Sequence, residues 1–552
     1  LNIYLDNDSI INSDVMLKYF LDKNEFSLIS SFSYSTSPYY NSYHEIDMYF
    51  DVLTWNTGDN KMYFGSMPQS KKPARFVSSD YFTRSSFNAL RGIDNVHPLL
   101  RLKNFIKDNN LDNSFDINYF LKNFNLPSDQ SLKFIDRLNN LGFVIIDYKK
   151  NKIIVKDKLF KYLQAYARQV DFDNIEFKSR NSNSNINAEL DLESMNLKIF
   201  GVSVIPVSQI RNVYVYPKSD FIVLKNNRDF SFSGSVHSSL GDKFKIHGKN
   251  IDFHYDDFKF TFTKADSLSM KVPSVPLVLD NNGFPVLEKI LIPIQNFSGE
   301  LLIDDVNNKS GNWVKDFGNY PILRGYEKSR VFYDDPSIYN GVYTRDNFYF
   351  DVDPFEIDSL DSFKRESLNF PGTFYSADIF DPFNERLVVQ KDNSLGFETS
   401  TSEKGLSVYS KGEYFNKLFL DKNGLTGNGM LNYSNVTSLS NMFVFFPDSI
   451  NSNVNSLVFN DIPKYDYPEV TGNDVFQHVD IQKNLVKVSS LNGDLRLYDS
   501  TAFFTGDIFL ENNLVHSKGT LSMDKFDIYS NYFNLFKNNI QSDTADFVLK
   551  TS

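Results

Sequence analysis

The chain has 552 residues, with 57 basic and 69 acidic side chains and a net charge of -12. It has no cysteine, which excludes disulfides and cysteine-based metal or nucleophile sites and leaves the compartment open. The acidity argues against general nucleic-acid binding, which needs a basic face.

The length suits several domains at roughly 100–200 residues each. The 53 Phe and 31 Tyr favour strands and fill cores with large area per residue. Residues 1–95 read as a β region. Leu1-Asn-Ile-Tyr-Leu alternates from the start, and Phe26-Ser-Leu-Ile and Met62-Tyr-Phe are strand candidates. Ile46, Met48, Phe50 and Val52 alternate with polar partners, as in a half-buried strand. No basic stretch followed by an apolar run marks a signal peptide, and no stretch reaches the ~20 apolar residues of a transmembrane helix. Both ends run in strand patterns, so the expectation is a segment of a longer exported chain.

Residues 96–170 read as an α-rich insert. Leu99, Leu102 and Phe105-Ile106 share one helical face, and Phe115–Leu121 reads as a second short helix. Ser128 is the N-cap candidate of a third helix over Gln130–Asn140, striped by Leu132, Ile135 and Leu138 and stopped at Gly142. Phe143–Tyr148 and Ile153–Val155 then form a hairpin. Three helices and a β wing resemble a winged-helix domain. From Arg101 to Arg180, 15 basic side chains stand against 10 acidic ones. A helix that tracks phosphates needs more than Lys133 and Arg137 beside Asp129 and Asp136. The expectation is an insert that packs or contacts protein and binds no nucleic acid.

Residues 171–305 read as a β meander. Phe244 and Ile246, then Ile251, Phe253 and Tyr255, then Phe258, Phe260 and Phe262 take alternate positions. Lys243, Lys245, Asp252, His254, Lys259 and Thr261 take the others, giving one apolar and one wet face. Corners are expected at Gly248 and Asp256-Asp257. Phe244, Ile246, Phe253, Tyr255, Phe258, Phe260 and Phe262 are candidates for the lining of either a packed core or an open apolar groove. The core is expected, since most such faces are packed. Residues 306–345 are irregular, with Gly311-Asn-Trp, Asn319-Tyr-Pro and Asp334-Asp-Pro, and read as an ordered excursion.

Residues 346–552 read as repeated β units. Gly429–Phe459 aligns with Gly519–Leu549 at a shift of ninety residues without a gap. Gly429 meets Gly519, Leu431 meets Leu521, Ser440-Asn441 meets Ser530-Asn531, and Phe443 and Phe446 meet Phe533 and Phe536. Self-similarity at fixed spacing is the signature of stacked units too small to bury their own apolar faces. The fold class expected is mainly β: elongated, repetitive, antiparallel, solenoid- or β-taco-like, with a small winged-helix-like insert.

No catalytic or metal site is legible. Asp351, Asp353, Glu356, Asp358 and Asp361 lack the glycine and terminal glutamate of an EF-hand loop and read as solvated edge charges. Gly241–Lys249 has the wrong glycine spacing for a phosphate loop and alternates as a strand. His44-Glu45 lacks the second histidine of a zincin, and no Gly-x-Ser-x-Gly is present. The expectation is a protein without cofactor, metal or catalytic activity. Glycosidase carboxylates leave little signature, so a carbohydrate-active or polysaccharide-binding β protein stands as the alternative.

Several phrases resemble a set of very large exported proteins of Bacteroidota: Tyr43-His-Glu-Ile-Asp, Val213-Tyr-Val-Tyr-Pro, Val352-Asp-Pro-Phe-Glu-Ile-Asp-Ser-Leu, Ser394-Leu-Gly-Phe and Asn423-Gly-Leu-Thr-Gly-Asn-Gly. The Gly-x-Leu strand units resemble, more distantly, the AsmA-like and LPS-transport bridge families, whose curved β grooves carry lipid across the periplasm. The resemblance implies a periplasmic or outer-membrane-associated scaffold or binding protein, with other envelope proteins and lipid as partners.

Overall fold

The computed structural model describes residues 2–12, 15–30, 37–67, 72–92, 95–181, 184–312, 318–491 and 493–550. Leu1, Trp313, Thr551 and Ser552, which fall in sequence patterns noted above, lie outside them. The chain is mainly β with antiparallel sheets, as expected, and has five α-helices among the described residues. It divides into two compact units, residues 1–271, 296–327 and 356–363, and residues 272–295, 328–355 and 364–552.

The first unit contains a six-stranded antiparallel sheet in the order Asn2–Leu5, Asp8–Ile11, Tyr39–Asn41, Ile46–Tyr49, Ala74–Ser78 and Glu176–Ser179. A second ladder runs from Val15–Phe20 through Glu25–Ser30, Val52–Asn56 and Lys61–Gly65, then crosses to Ile186–Asp191. It includes Phe230–Ser238, Phe244–His254 and the strand that begins at Lys259. Strand 244–254 does not turn at Gly248. It runs through with a register shift between His247 and Asp252 against its partner, because a slip of phase lets Phe244 and Ile246 share a face with Ile251 and Phe253. Gly248 passes close to the partner backbone, where an added Cβ would sit 3.2 Å from the Ala265 Cα. The corner at Asp256-Asp257 is present, with Phe258 in the left-handed region at φ 49°.

The insert differs in detail from its sequence reading. One helix, α1 (Arg84–Arg91), precedes the insert, which holds α2 (Pro98–Asp108), α3 (Ile117–Asn123), α4 (Ser128–Asn140) and α5 (Asp157–Tyr166), four rather than three. Phe115 is not helical. It lies in a short strand opposite Ile153, the third member of a sheet with the expected hairpin. Pro127, not Ser128, holds the N-cap of α4. The stripe Leu99, Leu102, Phe105 and Ile106 is buried in a shared core with Phe120, Ile135, Leu138, Ile153 and Leu159.

The second unit carries a ladder in which chain neighbours are sheet neighbours. From Asn369–Ser376 it passes through Phe383–Val389, Leu395–Ser400, Gly412–Asp421, Gly424–Tyr433, Val436–Phe445 and Ser449–Phe459 to Val470–Asp480. Strands 485–489 and 495–497 share the next position, followed by Ala502–Glu511, Leu514–Met523, Phe526–Leu535 and finally 540–541 with 546–549.

The ninety-residue likeness reaches the hydrogen bonds. Gly429 pairs with Ser440 and Gly519 with Ser530, and each hairpin shifts register one step earlier, at 427/429 and 517/519. The serine hydroxyl accepts the amide two residues on in both, Met442 and Tyr532, at 3.0 Å. At the glycine of each pair the neighbouring strand crowds in. An added Cβ would lie 2.0 Å from the Phe415 carbonyl oxygen at Gly429 and 2.2 Å from that of Thr505 at Gly519, so only glycine fits the bulge. Phe443 and Phe533 are both buried.

Candidate binding cleft

The seven residues offered as core or groove lining are all buried, each 5% exposed or less. Phe253 and Phe260 pack with Phe230 and lie 5.1 Å apart between ring centroids, and Phe258 packs against Phe253. Phe262 meets Phe297 and Phe244 meets Phe363. Ile246 stands opposite Val236 and Leu268, both buried. Tyr255 departs from the apolar pattern, because its hydroxyl donates to the Asp173 carboxylate at 2.8 Å.

Tyr255 belongs to a buried charged knot. The Arg228 guanidinium lies 3.7 Å from its ring centroid and pairs with Asp80 at 2.8 Å and Glu45 at 2.7 Å. Arg228 and Asn227 both have left-handed backbone, φ 67° and 46°, an uncommon state for non-glycine residues. Asp173 is fully buried and also accepts from the Ser78 hydroxyl and the Ile175 amide. Burial pushes its carboxyl up from the ordinary range, and Arg228 pulls the other way. Every member is bonded inside the fold, so the knot is structural.

The acidic residues from 351 to 361 are not gathered on a cation. Asp351 pairs with Arg330, Asp353 with Lys328, Glu356 with Arg324 and Asp361 with Arg211. Among the described residues no group of three potential ligands could hold a metal ion, and no helix is long and apolar enough to cross a membrane.

His44 is completely buried, and burial pushes its imidazole down to about 4, against weaker opposing effects of the Met195 and Leu224 carbonyls and Asp8. A folded-state value below the unfolded one leaves stability intact above about pH 6.5 and removes it as pH falls toward 4. That window is worth about 3 kcal/mol at about 1.4 kcal/mol per pH unit. Denaturant titrations from pH 7 to 4 are expected to show the loss, and His44→Gln to flatten it.

A cleft of about 650 Å³ opens between the insert and the six-stranded sheet of the first unit, within the size range of small-molecule sites. Its walls follow from helical periodicity, since residues four apart share a face. The helix α1 contributes Ser86 and Leu90, α4 contributes Lys133 and Arg137, and α5 contributes Lys158 and Tyr162. On α4 this wet face lies away from the buried Ser131, Ile135 and Leu138. The floor is strand 74–78, where alternation aims Arg75 and Val77 to one side, with Tyr49 opposite Arg75 in the neighbouring strand.

Two ion pairs fix the floor. Arg75 donates from Nε to Glu176 at 2.5 Å, and its guanidinium lies 5.2 Å from the Tyr49 ring centroid. Lys158 donates to the buried Asp47. Burial works against the Lys158 charge, but Asp47 outweighs it and raises the ammonium well above its usual value. Tyr49 and Tyr162 are pushed up, first by burial, Tyr162 to about 12, so both hydroxyls stay protonated donors. On the wall, Arg137 gives one Nη to the Leu90 carbonyl at 2.9 Å, and Lys133 makes no ion pair among the described residues.

Sequence reasoning noticed Lys133 and Arg137 only as too few bases for DNA, and missed the cleft. The signal was the local basic excess and the four-residue pairs, whose convergence depends on tertiary contacts. Comparison with family models, with curated proteins and with solved structures finds no match.

Proposed function

We propose that this chain is a non-enzymatic scaffold of the cell envelope. What supports it is the ladder of the second unit, in which hairpin follows hairpin and two copies ninety residues apart repeat the same glycine bulge and serine bond; stacked units of this kind make extended binding surfaces. The buried state of Phe244, Ile246, Phe253, Tyr255, Phe258, Phe260 and Phe262 favours a scaffold over a lipid-carrying groove. The exported setting rests on the resemblance to envelope proteins.

Lipid extraction and native mass spectrometry of the purified protein test this. A scaffold is expected to carry no bound lipid, and a stoichiometric co-purifying lipid overturns the reading in favour of a lipid-carrying groove.

A further inference from the structure

We propose that the cleft between the insert and the six-stranded sheet is a binding site for a small organic oxyanion, a ring compound carrying a phosphate or a carboxylate. The chain carries a net charge of -12, yet the cleft is lined by Arg75, Lys133, Arg137 and Lys158 against a single acid, Asp136. Asp136 accepts from the Tyr148 hydroxyl at 3.3 Å. Arg75 and Lys158 have carboxylate partners in Glu176 and Asp47, whereas Lys133 and Arg137 have none among the described residues, so the cleft keeps two cations that its packing does not use.

The cations divide by role. Arg75 and Lys158 are held by Glu176 and Asp47 and hold the floor rigid. Lys133 and Arg137 stand exposed on the wall one helical turn apart, the spacing at which two cations reach one oxyanion together. The guanidinium of Arg137 keeps donors beyond the one given to Leu90, since it carries five. Tyr49, Tyr81 and Tyr162 add hydroxyl groups and ring edges, which suits a ring bearing hydroxyls rather than an inorganic ion alone. The site uses none of the residues of that ladder, so its success or failure is independent of the scaffold reading.

Isothermal titration of the intact protein with glucose 6-phosphate, glucuronate and glucose tests this. One or both of the charged sugars are expected to bind with a sub-millimolar Kd that weakens at high salt, and glucose is expected to give no heat. Which of the two binds distinguishes phosphate from carboxylate. Lys133→Glu, at an exposed position, is expected to keep the circular dichroism spectrum and weaken binding by about tenfold or more. Binding of glucose equal to that of the charged sugars, no binding by either, or insensitivity to Lys133→Glu overturns the proposal. Binding of a short DNA duplex that Lys133→Glu abolishes also overturns it, by giving the surface to a polymer.

Discussion

Replacing Phe260 by alanine is expected to destabilise the protein by about 3–5 kcal/mol, because a cavity is added to the lost transfer free energy. The ring is fully buried, with Phe230, Phe232, Phe253 and Phe262 within 6.5 Å between centroids. Such a cage of rings collapses little. Thr261→Ala, on the wet face of the same strand, serves as the control and is expected to stay within about 0.5–1 kcal/mol. The measurement is the shift in denaturant midpoint at constant slope. A loss well under 2 kcal/mol would mean that this face behaves as an open groove, and the lipid-carrying form would regain its footing.

Arg228→Met is expected to be comparably severe, about 3–5 kcal/mol, because it strips the cation beside the fully buried Asp173 and the part-buried Asp80 rather than removing a whole ion pair. Asp173 would keep its bonds to Ser78, Tyr255 and Ile175 but lose the charge that offsets its burial. Its folded-state value already lies above the ordinary carboxylate range. A carboxyl raised by folding destabilises when ionised and stops doing so as pH falls through the folded value. The deficit of Arg228→Met should therefore shrink in mild acid. A double variant with Asp173→Asn should recover part of the loss, a coupling that a double-mutant cycle reads out. Strict additivity would show that the two side chains do not communicate.

These two sites mark what was and was not legible in the sequence. The aromatic face could be read because strand periodicity is a local property: Phe258, Phe260 and Phe262 announce it within five residues. The slip at Gly248 could not, since it depends on the partner strand at Ala265. The hairpin ladder from residue 369 onward was readable as turns between alternating runs, and the two repeat copies showed as a direct match. The six-stranded sheet was opaque, because Ala74–Ser78 pairs with Ile46–Tyr49 and with Glu176–Ser179 from beyond the insert. Arg228 gave no signal, since an arginine in a polar turn reads as solvated. The cleft needed three helices and a strand to converge, and no single window of sequence holds that information.

The discontinuity of the first unit also dictates when it can mature on the ribosome. Its ring packing takes Phe297 from residues 296–327 and Phe363 from residues 356–363. Residues 1–271 therefore emerge before the pieces that seal Phe262 and Phe244 exist. At about 5–20 residues per second, the interval from residue 271 to 363 lasts roughly 5–20 s. Throughout it, a rim of phenylalanine stands bare, the kind of surface that chaperones bind and that nascent chains aggregate through. The ladder after residue 369 has no such wait, because each new hairpin closes on the strand just made and contacts stay local.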